Sequence, residues 1–109
     1  MAKKAVEVAL DKQAVDILML DIRQVSYFAD YFVICNADSD RQIRAICDDI
    51  DEALNREGIK LYKREGSEDS GWVLLDFGTV IVHVFAKPER EYYELEKLWS
   101  EAAPVVRIQ

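Results

Sequence analysis

The sequence is poor in the residues that break or staple a chain: four glycines, two prolines, two cysteines and one histidine occur among 109 residues. Cys35 and Cys47 each sit in an apolar neighbourhood with no second Cys or His at metal-ligand spacing, which excludes a disulfide framework and a zinc site; both thiols read as reduced and structural. The glycines, Gly58, Gly66, Gly71 and Gly78, stand apart at expected helix stops and turns, so the sequence holds no glycine-rich phosphate loop. A single histidine, with no Ser or Cys in a nucleophile-elbow context, gives a hydrolytic triad no support. Apolar runs such as Val80 to Ala86 fall far short of the roughly 18 to 20 residues that a membrane span requires. Basic residues are in deficit too, 14 against 21 acidic, for a net charge of −7. That sign disfavours broad attraction to phosphate backbones and direct nucleic-acid binding, and favours a basic protein surface as partner.

What remains is the composition of an ordinary globular chain, 50% apolar and 32% charged, at a length that suits one domain over residues 1–109. The N-terminal "MAKKAVEVALDKQ" carries two lysines, but Glu7 and Asp11 interrupt its apolar pattern and no secretory core follows, so a cytoplasmic location is expected.

Periodicity gives the order of elements. Ala5, Val6, Ala9, Leu10 and Ala14 recur at helical spacing and predict an amphipathic helix from Ala2 to Gln13. Ile17 to Ile22 and then "DYFVIC" read as two strands. Ser39, with Gln42 three residues on, has capping-box spacing: the hydroxyl can accept from the Gln42 amide while the glutamine reaches back. Ile43, Ile46, Cys47, Ile50 and Leu54 line one face after it, and Gly58 supplies a stop, which together predict a helix over Asp40–Glu57. "IKLYKREG" is a third strand, "GSEDSG" a turn, and Trp72 to Phe77 and Val80 to Ala86 a strand pair around Gly78. Pro88 opens a last helix with Tyr92, Leu95, Leu98, Trp99 and Ala102 on one face, and Pro104 ends it. The expected fold is α/β or α+β, a single mixed sheet of about five strands packed by helices.

The most apolar segment raises the functional question, because it contains Asp76 and the only histidine, His83. Alternation along a strand places Trp72, Leu74 and Asp76 on one face and Val73, Leu75 and Phe77 on the other. Burying an unpaired carboxylate is costly, so the Asp76 face is expected to point away from the helices. Val80, Val82 and Val84 suit the helical side, which sends Ile81, His83 and Phe85 to the Asp76 side. If helices cover only one side, this second face is an apolar patch that a partner must cover. If helices cover both, Asp76 is a turn-forming carboxylate at a strand end and His83 a core histidine. Residue types alone leave both arrangements open.

Candidate chemistry elsewhere is thin. Asp38 and Asp40 in "DSD" have the paired carboxylates of a metal-dependent nucleotidyl transferase, but acidic side chains at a helix start are favoured by the dipole without a metal. Asp48, Asp49, Asp51 and Glu52 fall on the solvent face of the same helix. Tyr93, one position off the apolar face of the last helix, is free to contact a partner, and Arg41, beside the loop that precedes its helix, is the better placed of Arg41 and Arg44 for a specific contact.

The order and spacing of "DIRQVSYFADYFVIC", "SDRQIRAI", Glu65-Gly66, "WVLLDFG", "VIVHVF" and "REYYELEKLW" are similar to those of one family. Across nearly its whole length the chain resembles the ribosomal silencing factor, or iojap, family. The resemblance implies a nucleotidyltransferase-like fold without the catalytic signature, no enzyme activity and no cofactor. It also implies binding to the large ribosomal subunit through large-subunit ribosomal protein fourteen, steric exclusion of the small subunit under nutrient limitation, and a homodimer when free. Departures from the family pattern fall near Tyr27, in "NADSDRQ" and at Thr79, whereas Trp72, Asp76 and the final motif are retained. Resemblance and residue chemistry together make Trp72, Leu74 and Asp76 the expected centre of a docking surface, with His83, Arg41 and Tyr93 as further candidates. The competing reading is a metal-dependent nucleotidyltransferase-like enzyme; a third is an adaptor whose open sheet face serves self-association.

Overall fold

The computed structural model describes residues 1–108, and in it the chain runs α1 (Ala2–Asp11), β1 (Val15–Asp21), β2 (Tyr31–Ala37), α2 (Asp40–Arg56), β3 (Lys63–Ser67), a 3-10 turn (Glu68–Ser70), β4 (Trp72–Asp76), β5 (Val80–Ala86), α3 (Lys87–Tyr93), α4 (Leu95–Leu98) and β6 (Ala103–Ile108). The strands form one sheet in the order β3-β4-β5-β2-β1-β6. β2 and β5 pair in parallel at its centre, and the remaining neighbours are antiparallel. The expected single mixed sheet packed by helices is therefore present, with six strands among the described residues.

Each face of the sheet carries its own apolar core. On one side α1 and α2 cover Ile17, Met19, Val33, Cys35, Val73, Leu75, Val80, Val82 and Val84, with Ile43, Ile46, Cys47, Ile50 and Leu54 pointing down from α2. The alternation read from the sequence is borne out here: every second residue of β4 and β5 goes to the helical side. On the opposite side Leu18, Leu20, Ile22, Phe32, Ile34, Ile81 and Phe85 pack under Leu95 and Ala102, with Trp72, Leu74 and Trp99 partly buried at the margin.

The start of α2 follows from its cap. Ser39 is extended, and its hydroxyl accepts from the Gln42 amide at 3.1 Å. The Gln42 side chain does reach back, but to the Asp38 amide at 2.8 Å, and its own amide group donates to the Lys12 and Gln13 carbonyls, each at 3.0 Å. The Gln42 side chain thus ties the residue that precedes the Ser39 cap to the end of α1. The helix ends at Arg56, one residue before the expected Glu57.

The C-terminal region departs from the expected single helix. Glu94 has φ +46°, which ends α3 after Tyr93 and restarts the chain as the short α4. The cause is tertiary. Arg90 is buried, and its guanidinium donates to Glu96 at 3.1 and 3.2 Å, to the Asn36 side-chain oxygen at 3.0 Å and to the Asp16 carbonyl at 2.6 Å. Residues six apart on a continuous helix lie about 240° apart around the axis, so Arg90 and Glu96 meet only because the helix breaks between them. The break also shifts the register: Leu95 and Ala102 are buried as expected, whereas Tyr92 and Leu98, assigned to the same apolar face, are 80% and 76% exposed.

Pro104 does not merely end a helix. It lies within β6, which pairs antiparallel with β1 and places Pro104 opposite Leu20. Because β6 is an edge strand, a residue that cannot donate to the ladder is tolerated there.

Candidate functional site

The second face is covered only in part. α4 and the segment from Trp99 to Ala102 that follows it close it over β1 and β2, while its β4 margin stays partly open, so the arrangement lies between the two that the residue types allow. At that margin a groove of about 320 Å³ is lined by Trp72, Leu74, Tyr93, Glu65, Gly66 and Ser70.

Strand register builds it. β4 pairs with β5 so that Trp72 faces Phe85 and Leu74 faces His83, and with β3 so that Glu65 faces Leu74 and Gly66 faces Val73. The Trp72 indole stacks on the Phe85 ring with centroids 4.9 Å apart, and Tyr93 leans on the indole at 4.7 Å. The break at Glu94 leaves Tyr93 as the last residue of α3, 45% exposed at the groove edge. Gly66 has φ +84°, and a Cβ there would collide with the Trp72 carbonyl oxygen, so only glycine lets β3 pass this close beside the tryptophan.

His83 lies below the groove and is 4% exposed. Its Nδ1 accepts from the Trp72 indole N–H at 3.2 Å, and the Phe32 ring meets it edge to face with centroids 4.9 Å apart. Burial pushes the imidazole pKa down to about 4, so the ring is neutral near pH 7. With Nδ1 accepting, the proton sits on Nε2, which is buried and has no hydrogen-bond partner among the described residues. His83 is thus a core histidine satisfied at one nitrogen; of the groove residues it hydrogen-bonds Trp72 and lies opposite Leu74 across the strand pair.

The six residues singled out from the sequence separate accordingly. Trp72, Leu74 and Tyr93 share the groove, with His83 beneath it. Asp76 is on the same face but at the far end of β4, about 13 Å from Trp72 along an extended strand. There one carboxylate oxygen accepts from the Gly78 amide at 2.8 Å, which makes it a turn-forming group with a partly exposed side chain. Arg41 is on α2, the helix that packs the other face of the sheet; it is exposed and the structure does not bring it to the groove. Asp38 and Asp40 flank the cap residue Ser39, and among the described residues no group of three or more His, Cys, Asp or Glu side chains is placed to hold a metal ion. Three of the four acidic residues of the run on α2 are engaged in surface ion pairs: Asp48 with Arg64, Asp49 with Lys12 and Glu52 with Arg56.

Glu65, Gly66 and Ser70 carry no local signal as groove walls: the register of β3 against β4 brings the first two there, and Ser70 comes from the 3-10 turn that leads into β4. Phe85 lies on the face that strand alternation predicts, and its stacking under Trp72 follows from the pairing of β4 with β5.

The model of a family described as "Ribosomal silencing factor during starvation" matches residues 1–109. The chain is 51% identical over 92 residues, 84% of its length and 78% of the relative's, to a Bacillus subtilis protein named "Ribosomal silencing factor RsfS". A protein of the same name from Halalkalibacterium halodurans is 42% identical over 105 residues, 96% of this chain and 89% of that one. A crystal structure of a Chromobacterium violaceum protein superposes with a TM-score of 0.87 at 33% identity, covering 91% of this chain and 82% of the other.

Proposed function

The chain belongs to the family of ribosomal silencing factors that act during starvation, and on that premise we propose that it docks on the large ribosomal subunit through ribosomal protein fourteen, using the groove at Trp72, Leu74 and Tyr93. Bound there, it stands in the way of the small subunit and lowers translation when nutrients are limiting. The action is occupancy rather than catalysis, in the cytoplasm, with no cofactor; the free protein is a homodimer.

The observation that carries this reading is the partly open aromatic groove on a strongly acidic chain. Trp72 and Tyr93 offer the large, rigid anchors that concentrate binding energy at protein interfaces. Glu65 lines the groove, and the net charge of −7 steers encounter towards a basic ribosomal protein rather than towards exposed RNA. Asp76, farther along the same face, is a carboxylate available to a lysine or arginine at the rim of the contact.

Sucrose-gradient sedimentation with separated ribosomal subunits tests the proposal. The protein should travel with large subunits, not with small ones, and should lower the yield of joined ribosomes when added before mixing. Travel with neither subunit, or an unchanged yield of joined ribosomes at saturating protein, would refute it.

A further inference from the structure

We propose that His83 is the positioning residue of the docking groove: its Nδ1 holds the Trp72 indole by the N–H and so presents the tryptophan in one orientation to the partner. This rests on the docking reading above and assigns a role to a residue that does not itself line the groove.

The geometry is specific to these two positions. Trp72 is in register with Phe85, so His83, two residues earlier on β5, is its diagonal neighbour on the same face of the sheet, within reach of a long side chain. An indole N–H in a partly buried site needs an acceptor, and Nδ1 of His83 at 3.2 Å supplies it. Phe85 stacked beneath at 4.9 Å and Tyr93 against the ring at 4.7 Å constrain the plane of the indole but provide no acceptor from their rings for its polar edge. The hydrogen bond therefore turns that edge inward and leaves the remainder of the ring to line the groove. Phe32, edge to face with the imidazole at 4.9 Å, holds the histidine in turn. An anchor fixed before contact loses less conformational freedom on binding than one that must be ordered by the partner.

The tests begin on the free protein. In the wild type, the His83 ring nitrogens should give the 15N pattern of a neutral ring protonated on Nε2, and the Trp72 indole N–H, distinguished from that of Trp99 with W99F, should exchange slowly. H83L removes the acceptor and should bring fast exchange and a shifted indole resonance. H83N, whose side-chain oxygen can stand where Nδ1 stood, should restore both, whereas H83Q, whose oxygen reaches to the Nε2 position, should not. In sedimentation with large subunits H83L should weaken binding roughly fivefold, the loss expected of one net hydrogen bond, H83N should recover most of it, and H83L added to W72F should change nothing further. A ring protonated on Nδ1, or a Trp72 indole signal indifferent to H83L, would overturn the positioning role whatever the binding does. The expected indole behaviour combined with full binding by W72A would instead overturn the docking reading, leaving the hydrogen bond a local restraint.

Discussion

Arg90 Nη1 lies 3.0 Å from the side-chain oxygen of Asn36, a contact between the start of the C-terminal region and the centre of the sheet. The same nitrogen takes the Asp16 carbonyl, which the bulge between Val15 and Leu18 withdraws from the ladder of β1 with β2, while Glu96 neutralises the guanidinium from α4. Removing the cation leaves Asn36 and Glu96 without their partner. R90M should destabilise the fold by about 3 kcal/mol, the scale for breaking a largely buried pair, read as a lowered midpoint in urea. The variant should also loosen Tyr93 and α4, seen as faster amide exchange there than in β4.

Gln42 joins two helix ends through three hydrogen bonds to backbone groups. Q42A should cost about 1 to 2 kcal/mol in the same denaturation assay. Q42E keeps an acceptor for the Asp38 amide but sets a carboxylate against the Lys12 and Gln13 carbonyls, so it should be no more stable than Q42A.

These two contacts also mark what the sequence could and could not reveal. The alternation of β4 and β5, the cap at Ser39 and the apolar face of α2 are local patterns, and each appears in the structure with the faces and nearly the bounds expected. The break at Glu94 is not a local pattern: it is set by Arg90 meeting Asn36 and Asp16, residues more than fifty positions away. β6 was hidden because "APVVRI" is short and begins beside Pro104, which reads as a stop unless the strand is known to lie at an edge. For the groove, Trp72, Leu74 and Tyr93 were legible as exposed or face-sharing side chains. Glu65 and Gly66 needed the register of β3, and the burial of His83 needed the knowledge that α4 closes over the neighbouring part of the sheet.

His83 should make stability depend on pH. Its pKa is about 4 in the folded chain against an ordinary 6.5, so between these values the unfolded chain binds the extra proton and stability falls as the pH is lowered. Above 6.5 the group contributes no slope; from there to about pH 4 it should remove up to about 3 kcal/mol. Asp21 and Glu68, whose carboxyls are held below their usual range, add their loss at more acidic pH. Urea midpoints measured from pH 7 to 4 should decline for the wild type and flatten in H83N; an equally steep decline in H83N would assign the effect to other groups.

Cys35 and Cys47 are fully buried, and burial pushes both thiols up to about 12. A thiol-specific reagent should label neither in the native protein at pH 8 and both in urea, with native labelling no faster than unfolding permits.

The central claim is that Trp72 anchors the protein to the large ribosomal subunit. Its most direct test is the affinity of W72A for purified large subunits, measured by co-sedimentation alongside a circular dichroism spectrum that establishes folding. The account predicts a loss of roughly 2 kcal/mol or more, about thirtyfold in Kd. Wild-type affinity in a folded W72A protein would contradict it.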